Sequence, residues 1–363
     1  MWRIILINKT LFGLVLVGAC LLGSAGYAFF LSDRGVASAS ATLSARLSGW
    51  DVNHYLTLSK VGYQKDSPSC AFYPLWPAII HLATFMTFGH ALLASLVLAN
   101  ALSLVAFWLF YRLVEQNYGP VLARDALILM VAFPGALFFS IPYTESLFLV
   151  LVLIFFHGLR SERYLVSCVA VFLMPLAKAV GVFVVLPLAW HLYERRKHWK
   201  HGLMLLVPLA GYATYFGIMR ASTGNPFEGF DAQRSYPNSP SIRNIFDLAG
   251  FTTAFLNVNS LDGMMDSALD RGFFIMLLIL LPLIFRLNKT WFFYVLAAGV
   301  VPAASSWFMS YRRYIMICFP VFIILAQGLQ RLKSRWLFWY YVLMLAALQI
   351  WAVIHFANGA WAG

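Results

Sequence analysis

A carboxylate set among aromatic side chains is the first feature of this chain with chemical potential. Trp50-Asp51 is followed by His54 and Tyr55, by Gly62-Tyr63, and by the run Ala71-Phe72-Tyr73-Pro74-Leu75-Trp76-Pro77. Crowding by aromatic rings disfavours the charged form of a carboxylate, and such a group can accept a proton from a hydroxyl nucleophile. Trp50, His54, Tyr55 and Tyr73 would then be substrate contacts around a catalytic Asp51. The same aspartate could instead cap a short helix that carries His54 and Tyr55 on one face.

Three further groups could work with it. Pro142-Tyr143-Thr144-Glu145-Ser146 offers a second carboxylate. Glu145 and Tyr143 either face the first loop, or the segment simply starts a helix, with Thr144 or Ser146 as cap and Glu145 at the positive end of the dipole. Lys178 stands inside apolar sequence, where a charge is costly and tends to be functional, although a lysine can also snorkel to the interface. Tyr311-Arg312-Arg313-Tyr314 supplies two arginines whose forked donors match phosphate oxygens; interfacial anchoring is the alternative. Neighbours diverge on a helix, so one of the two is expected to face the site. Gln233 and Arg234 in the second long polar segment complete the candidate contacts, whereas Asp247, Asp262, Asp266 and Asp270 receive no role. The cysteines Cys20, Cys70, Cys168 and Cys318 form no CxxC pair, and no histidine spacing suits a metal, so neither metal nor cofactor is expected.

The elements that must position these groups are apolar. Of 363 residues, 61% are hydrophobic and 11% charged, against about 25% charged in soluble domains. The bilayer is therefore the expected solvent for most of the chain. Apolar runs predict eleven spans, at 10–31, 91–113, 125–142, 145–160, 164–178, 180–191, 202–219, 271–287, 290–308, 314–330 and 336–357. Two of them meet at Lys178-Ala179-Val180-Gly181 and read as a broken pair whose tip sits below the membrane surface. The stretch 74–89 is short and bounded by prolines, and reads as a re-entrant or interfacial helix. Arg3 and Lys9 precede an apolar run too long for a signal peptide, and Ala39-Ser40-Ala41 lies too far beyond it, so an uncleaved anchor is expected.

With the N-terminus inside, most lysines and arginines fall on the inner side, Arg195, Arg196, Lys197 and Lys200 among them, against the acids Glu115, Asp125, Glu162 and Glu194. That asymmetry predicts a cytoplasmic N-terminus and an outer C-terminus. It accounts for the net charge of +12 without nucleic acid. The expectation is one all-α polytopic domain over 1–363, with outer loops 32–90 and 220–270 forming the active face.

In this order the motifs resemble the PIG-V-like family of membrane glycosyltransferases, in the GT-C superfamily. The matching residues are Trp50-Asp51, Tyr55, Gly62-Tyr63, Ala71 to Pro77, Pro142 to Phe148, Leu176 to Gly181, and Arg313-Tyr314 ahead of Phe319-Pro320. The resemblance spans roughly 45–325. It implies a GT-C-like fold and transfer of a sugar, mannose in the named eukaryotic members, from a polyprenyl-phosphate donor to a glycan, lipid or protein acceptor. It makes Asp51 the base, with Arg313, Lys178 and Arg312 holding the donor phosphate. Lys178-Ala179 stands where the family often shows Arg-Pro, which keeps the positive charge, and the chain is shorter than the eukaryotic members, so the resemblance implies a prokaryotic relative in a plasma membrane. A transporter or flippase predicts inverted repeats and midplane polar groups, and the sequence shows neither. A non-catalytic scaffold would not need a carboxylate opposite two phosphate-binding groups, although a pseudoenzyme of the family would carry the same motifs.

Overall fold

The computed structural model describes residues 1–30, 43–196, 199–237 and 239–362. Ala39-Ser40-Ala41, Lys197 and the side chain of Cys20 lie outside the described set. The described residues form helices, with no strand among them and one isolated bridge between Ser260 and Ser267.

Among the described residues, five helical stretches are long and apolar enough to cross a membrane: Trp2–Ala19, Ala91–Tyr118, Lys200–Thr223, Ala268–Leu287 and Arg335–Ala357. Tyr311–Ile317 and Pro320–Arg331 qualify only as a pair bent by 78°. The eleven expected spans are thus not matched by eleven unbroken helices. The reason is local: 125–142 breaks at Pro134 into a 3₁₀ turn, and 290–308 contains a π-helical stretch at Leu296–Val300. Hydropathy registers apolar length and is blind to such breaks. Leu75–Thr84 continues into a 3₁₀ turn at Phe85–Thr87, too short to cross. Phe85, Met86 and Phe88 at its end are exposed, as suits an apolar element lying in lipid.

The helix Glu145–Arg160 is the centre of the bundle. It is apolar on every side and buried along nearly its whole length, as a helix without a polar face must be. It packs against Ala91–Tyr118 and Tyr164–Ala177, so its first residue, Glu145, is rigidly placed. Lys9, expected among the inner-side charges, instead reaches into the bundle. Its Nζ donates to the Phe139 carbonyl at 2.7 Å and to Ser140 Oγ at 2.8 Å. Those acceptors lie where the turn Pro134–Phe139 ends, and carbonyls at a helix end lack partners and attract cations. Asp125, fully buried, is satisfied by Arg335 Nη1 at 2.8 Å and Gln330 Nε2 at 3.0 Å.

The expected break at Lys178 is present. Tyr164–Ala177 ends there, Lys178 is extended (φ −152°, ψ 148°), and a 3₁₀ turn Ala179–Val184 leads into the helix Val185–Glu194. Gly181 makes the fold-back possible: a Cβ there would collide with the backbone of Met174 and Pro175. Gly181→Ala is expected to destabilise the protein by about 1–3 kcal/mol, the usual cost of overpacking. A lowered melting temperature in detergent would check this; an unchanged one would show that the turn can relax.

Candidate functional site

The helix Asp51–Val61 starts at Asp51 itself, with Trp50 as the preceding residue and no side-chain cap. Asp51 is therefore not the N-cap, and its carboxylate is free to point elsewhere. Trp50 adopts φ 55°, a conformation rare for a bulky residue, and its ring meets Trp361 edge-on at 5.0 Å between centroids. The first loop is tied to the bundle through Trp76, whose indole N–H donates to the Pro142 carbonyl at 3.2 Å. That bond brings the Trp50-Asp51 and Tyr143-Glu145 segments together.

Arg313 joins them. Its Nη1 donates to Asp51 Oδ2 at 2.6 Å and its Nε to Glu145 Oε1 at 2.6 Å. The guanidinium lies over the rings of Tyr143, at 4.5 Å from the centroid, and Phe138, at 5.2 Å. Lys178 Nζ donates to the same Glu145 oxygen at 2.9 Å and sits 5.5 Å from the Tyr314 ring centroid. Two carboxylates and two cations thus form one quartet of zero formal charge. Burying any of them alone would carry a desolvation penalty of several kcal/mol, so each fixes the others.

The quartet borders a cavity of about 380 Å³, large enough for a small ligand. Trp50, Asp51, His54, Tyr55, Tyr73, Lys178, Gln233 and Arg313 line it. Glu145 does not: it is 0% exposed and stands behind the two cations, with Oε2 lacking a partner. Tyr143 is buried beneath Arg313. The Asp51 side chain keeps 23% exposure and that of Lys178 12%. His54 shares hydrogen bonds with Ser69 Oγ (2.9 Å) and the Tyr236 hydroxyl (3.3 Å) and stacks on Phe72. Burial pushes the His54 imidazole below its ordinary pKa, while the negative charge of Asp51 pulls the other way.

A second cavity, about 880 Å³, adjoins the first and shares Tyr73, Ala179, Val180, Gln233, Ser306 and Tyr314 with it. Val182, Phe183, Tyr212 and Phe216 are among its apolar and aromatic lining residues, and Asp231, Arg234, Arg243 and Asn244 among its polar ones. Arg234 belongs to this cavity, not the first, and pairs with Asp231 at 3.1 Å. Arg312 lines neither. It is fully buried against Asp262 and Asp270. Among the described residues, no group of three or more His, Cys, Asp or Glu side chains could hold a metal ion.

Tyr236, Met264, Met309 and Trp361 also line the first cavity and were missed. They lie in loops or beyond the last apolar run, where neither periodicity nor motif spacing marks a residue. Tyr236 stood two residues from Arg234 in a segment already noticed, and its aromatic ring beside Pro237 was the one available signal.

A family model described as mannosyltransferase (PIG-V) matches residues 11–223. The match takes in Asp51, Glu145 and Lys178 and ends before Arg313. No curated protein matches the chain.

Proposed function

The chain belongs to the PIG-V mannosyltransferase family, a family of membrane glycosyltransferases, and we propose that it moves a sugar, mannose first among candidates, from a polyprenyl-phosphate donor to an acceptor hydroxyl at the outer membrane face, with inversion. One observation supports this reading above the others: Asp51, Lys178 and Arg313 meet on a single cavity, with Glu145 behind the two cations.

In the proposed reaction the acceptor oxygen attacks the anomeric carbon. Its proton passes to Asp51 Oδ1, the oxygen not engaged by Arg313. The bond from the anomeric carbon to the phosphate oxygen breaks on the opposite face, which inverts the configuration. The leaving group is the lipid phosphate, already anionic, so no acid need protonate it. Lys178 and Arg313 take up the charge that grows on it, and in a site short of water such preorganised cations act strongly. Glu145 holds both cations and does not touch substrate. In this reading the cytoplasmic end of Glu145–Arg160 lies at the inner surface. Its 16 residues rise about 24 Å, short of the ~30 Å hydrocarbon core, so the quartet sits below the outer surface. The adjoining cavity is lined by both apolar and polar residues, a combination that suits an amphipathic, lipid-linked substrate.

The experiment is transfer in proteoliposomes of the purified chain, with labelled polyprenyl-phosphate mannose as donor and total lipid extract as acceptor. Transfer from the lipid donor, none from a nucleotide sugar, and an inverted anomeric centre are expected. Transfer only from the nucleotide sugar, or retention of configuration, would overturn the proposal.

A further inference from the structure

Arg312 and Arg313 are adjacent, yet the fold puts them in opposite surroundings. Arg313 enters the cavity quartet. Arg312 is fully buried away from it, its Nη2 against Asp262 and its Nε 3.8 Å from Asp270 Oδ1. The same Asp270 oxygen also accepts the backbone N–H of Arg312, at 3.1 Å. Asp270 lies in the first turn of the helix Ala268–Leu287, whose cap Ser267 accepts its N–H. Asp262 lies in the outer loop 257–267. That loop is held by Ser260 Oγ on Asp266 and by Arg271, which donates to the Ala254 and Met265 carbonyls at 2.6 Å each.

Two segments that carry cavity-lining residues converge on this pin. Met264 comes from the loop, and Ser306, Met309 and Ser310 come from the turn just before Arg312. That turn is strained. Trp307, Phe308 and Ser310 have φ of 48°, 70° and 58°, values that residues with side chains keep only where the surroundings enforce them. Strain of this kind gathers at functional sites. Arg312 follows the last strained residue, Ser310, after Tyr311 alone and anchors the chain on two carboxylates from elsewhere in the fold.

We propose that Arg312 is a positioning residue: by pairing with Asp262 and Asp270 it clamps the strained 307–310 turn to the 257–267 loop and so aims Arg313 at the cavity. It does not touch the donor phosphate. The inference rests on the proposed function and concerns how that site is built.

The test is a double-mutant cycle on the transfer reaction, with Arg312→Leu and Arg313→Lys singly and together. Displacement of a catalytic group by about 1 Å can cost on the order of 10²-fold in rate, and a loss of that order in kcat is expected for Arg312→Leu. Because Arg312 acts through Arg313, the double variant is expected to be little worse than Arg313→Lys alone; residues coupled in this way depart from additivity. Arg312→Lys, which keeps the charge, should recover part of the rate. If Arg312→Leu does not fold, Asp262→Asn enters the same cycle with the same expected non-additivity. Additive losses, or wild-type kcat in Arg312→Leu, overturn the inference while leaving the proposed function standing. Absence of transfer by the wild type overturns both.

Discussion

Asp51→Asn is expected to lower kcat for sugar transfer by about 10²–10⁴-fold, the range a positioned general base supplies, with little change in the KM for donor. The amide keeps the size and hydrogen-bonding reach of the carboxylate but cannot accept the acceptor's proton. It also removes one of the two anions bound to Arg313. Glu145 still holds that arginine at 2.6 Å, so the cavity wall is expected to stay in place. The measurement is initial rates in proteoliposomes at matched protein content, with the melting temperature as control. Unchanged kcat would remove Asp51 from the role of base. His54 would be the next candidate, because it lines the same cavity, whereas Glu145 is fully buried and does not reach it.

Arg313→Lys is expected to lose about 10²–10³-fold in kcat, comparable with removing one preorganised donor at a developing anion. The substitution keeps the charge, so the loss isolates geometry. Arginine presents Nε to Glu145 and Nη1 to Asp51 at once, at 2.6 Å each, while its plane rests on Tyr143. A lysine ammonium is a point charge without a planar fork and cannot reproduce that arrangement. It would follow one carboxylate and loosen the other, leaving Glu145 to Lys178 alone or the part-exposed Asp51 unpaired, and weakening a charge cluster that is largely buried is destabilising. A lower melting temperature should therefore accompany the kinetic loss. Wild-type kcat in Arg313→Lys would mean that charge alone suffices and that Lys178 bears the phosphate.

Much of the site was legible in residue types. Lys178 stood out because a charge in apolar sequence needs a partner, and Glu145 is that partner. Trp76, part of the motif Ala71 to Pro77, turned out to tie one motif to the next through the Pro142 carbonyl. Asp262 and Asp270 were passed over because their partner Arg312 lies some 40 to 50 positions away, and nothing local connects them. The expectation that only one of two adjacent arginines would face the site came from helix geometry alone, and the fold puts Arg313 there.

By itself the sequence determined the solvent of the chain, its helical character, the break at Lys178-Gly181 and its membership of the family. These follow from composition, apolar run length and single residues whose chemistry is costly out of place. Only the tertiary structure decided how apolar runs divide into crossing, bent and broken helices, that Glu145 stands behind the cations instead of lining the cavity, and which arginine belongs to it. Those depend on contacts between residues up to 262 positions apart, such as Asp51 and Arg313. Hydropathy and spacing carry no term for such contacts; packing and the pairing of buried charges create them.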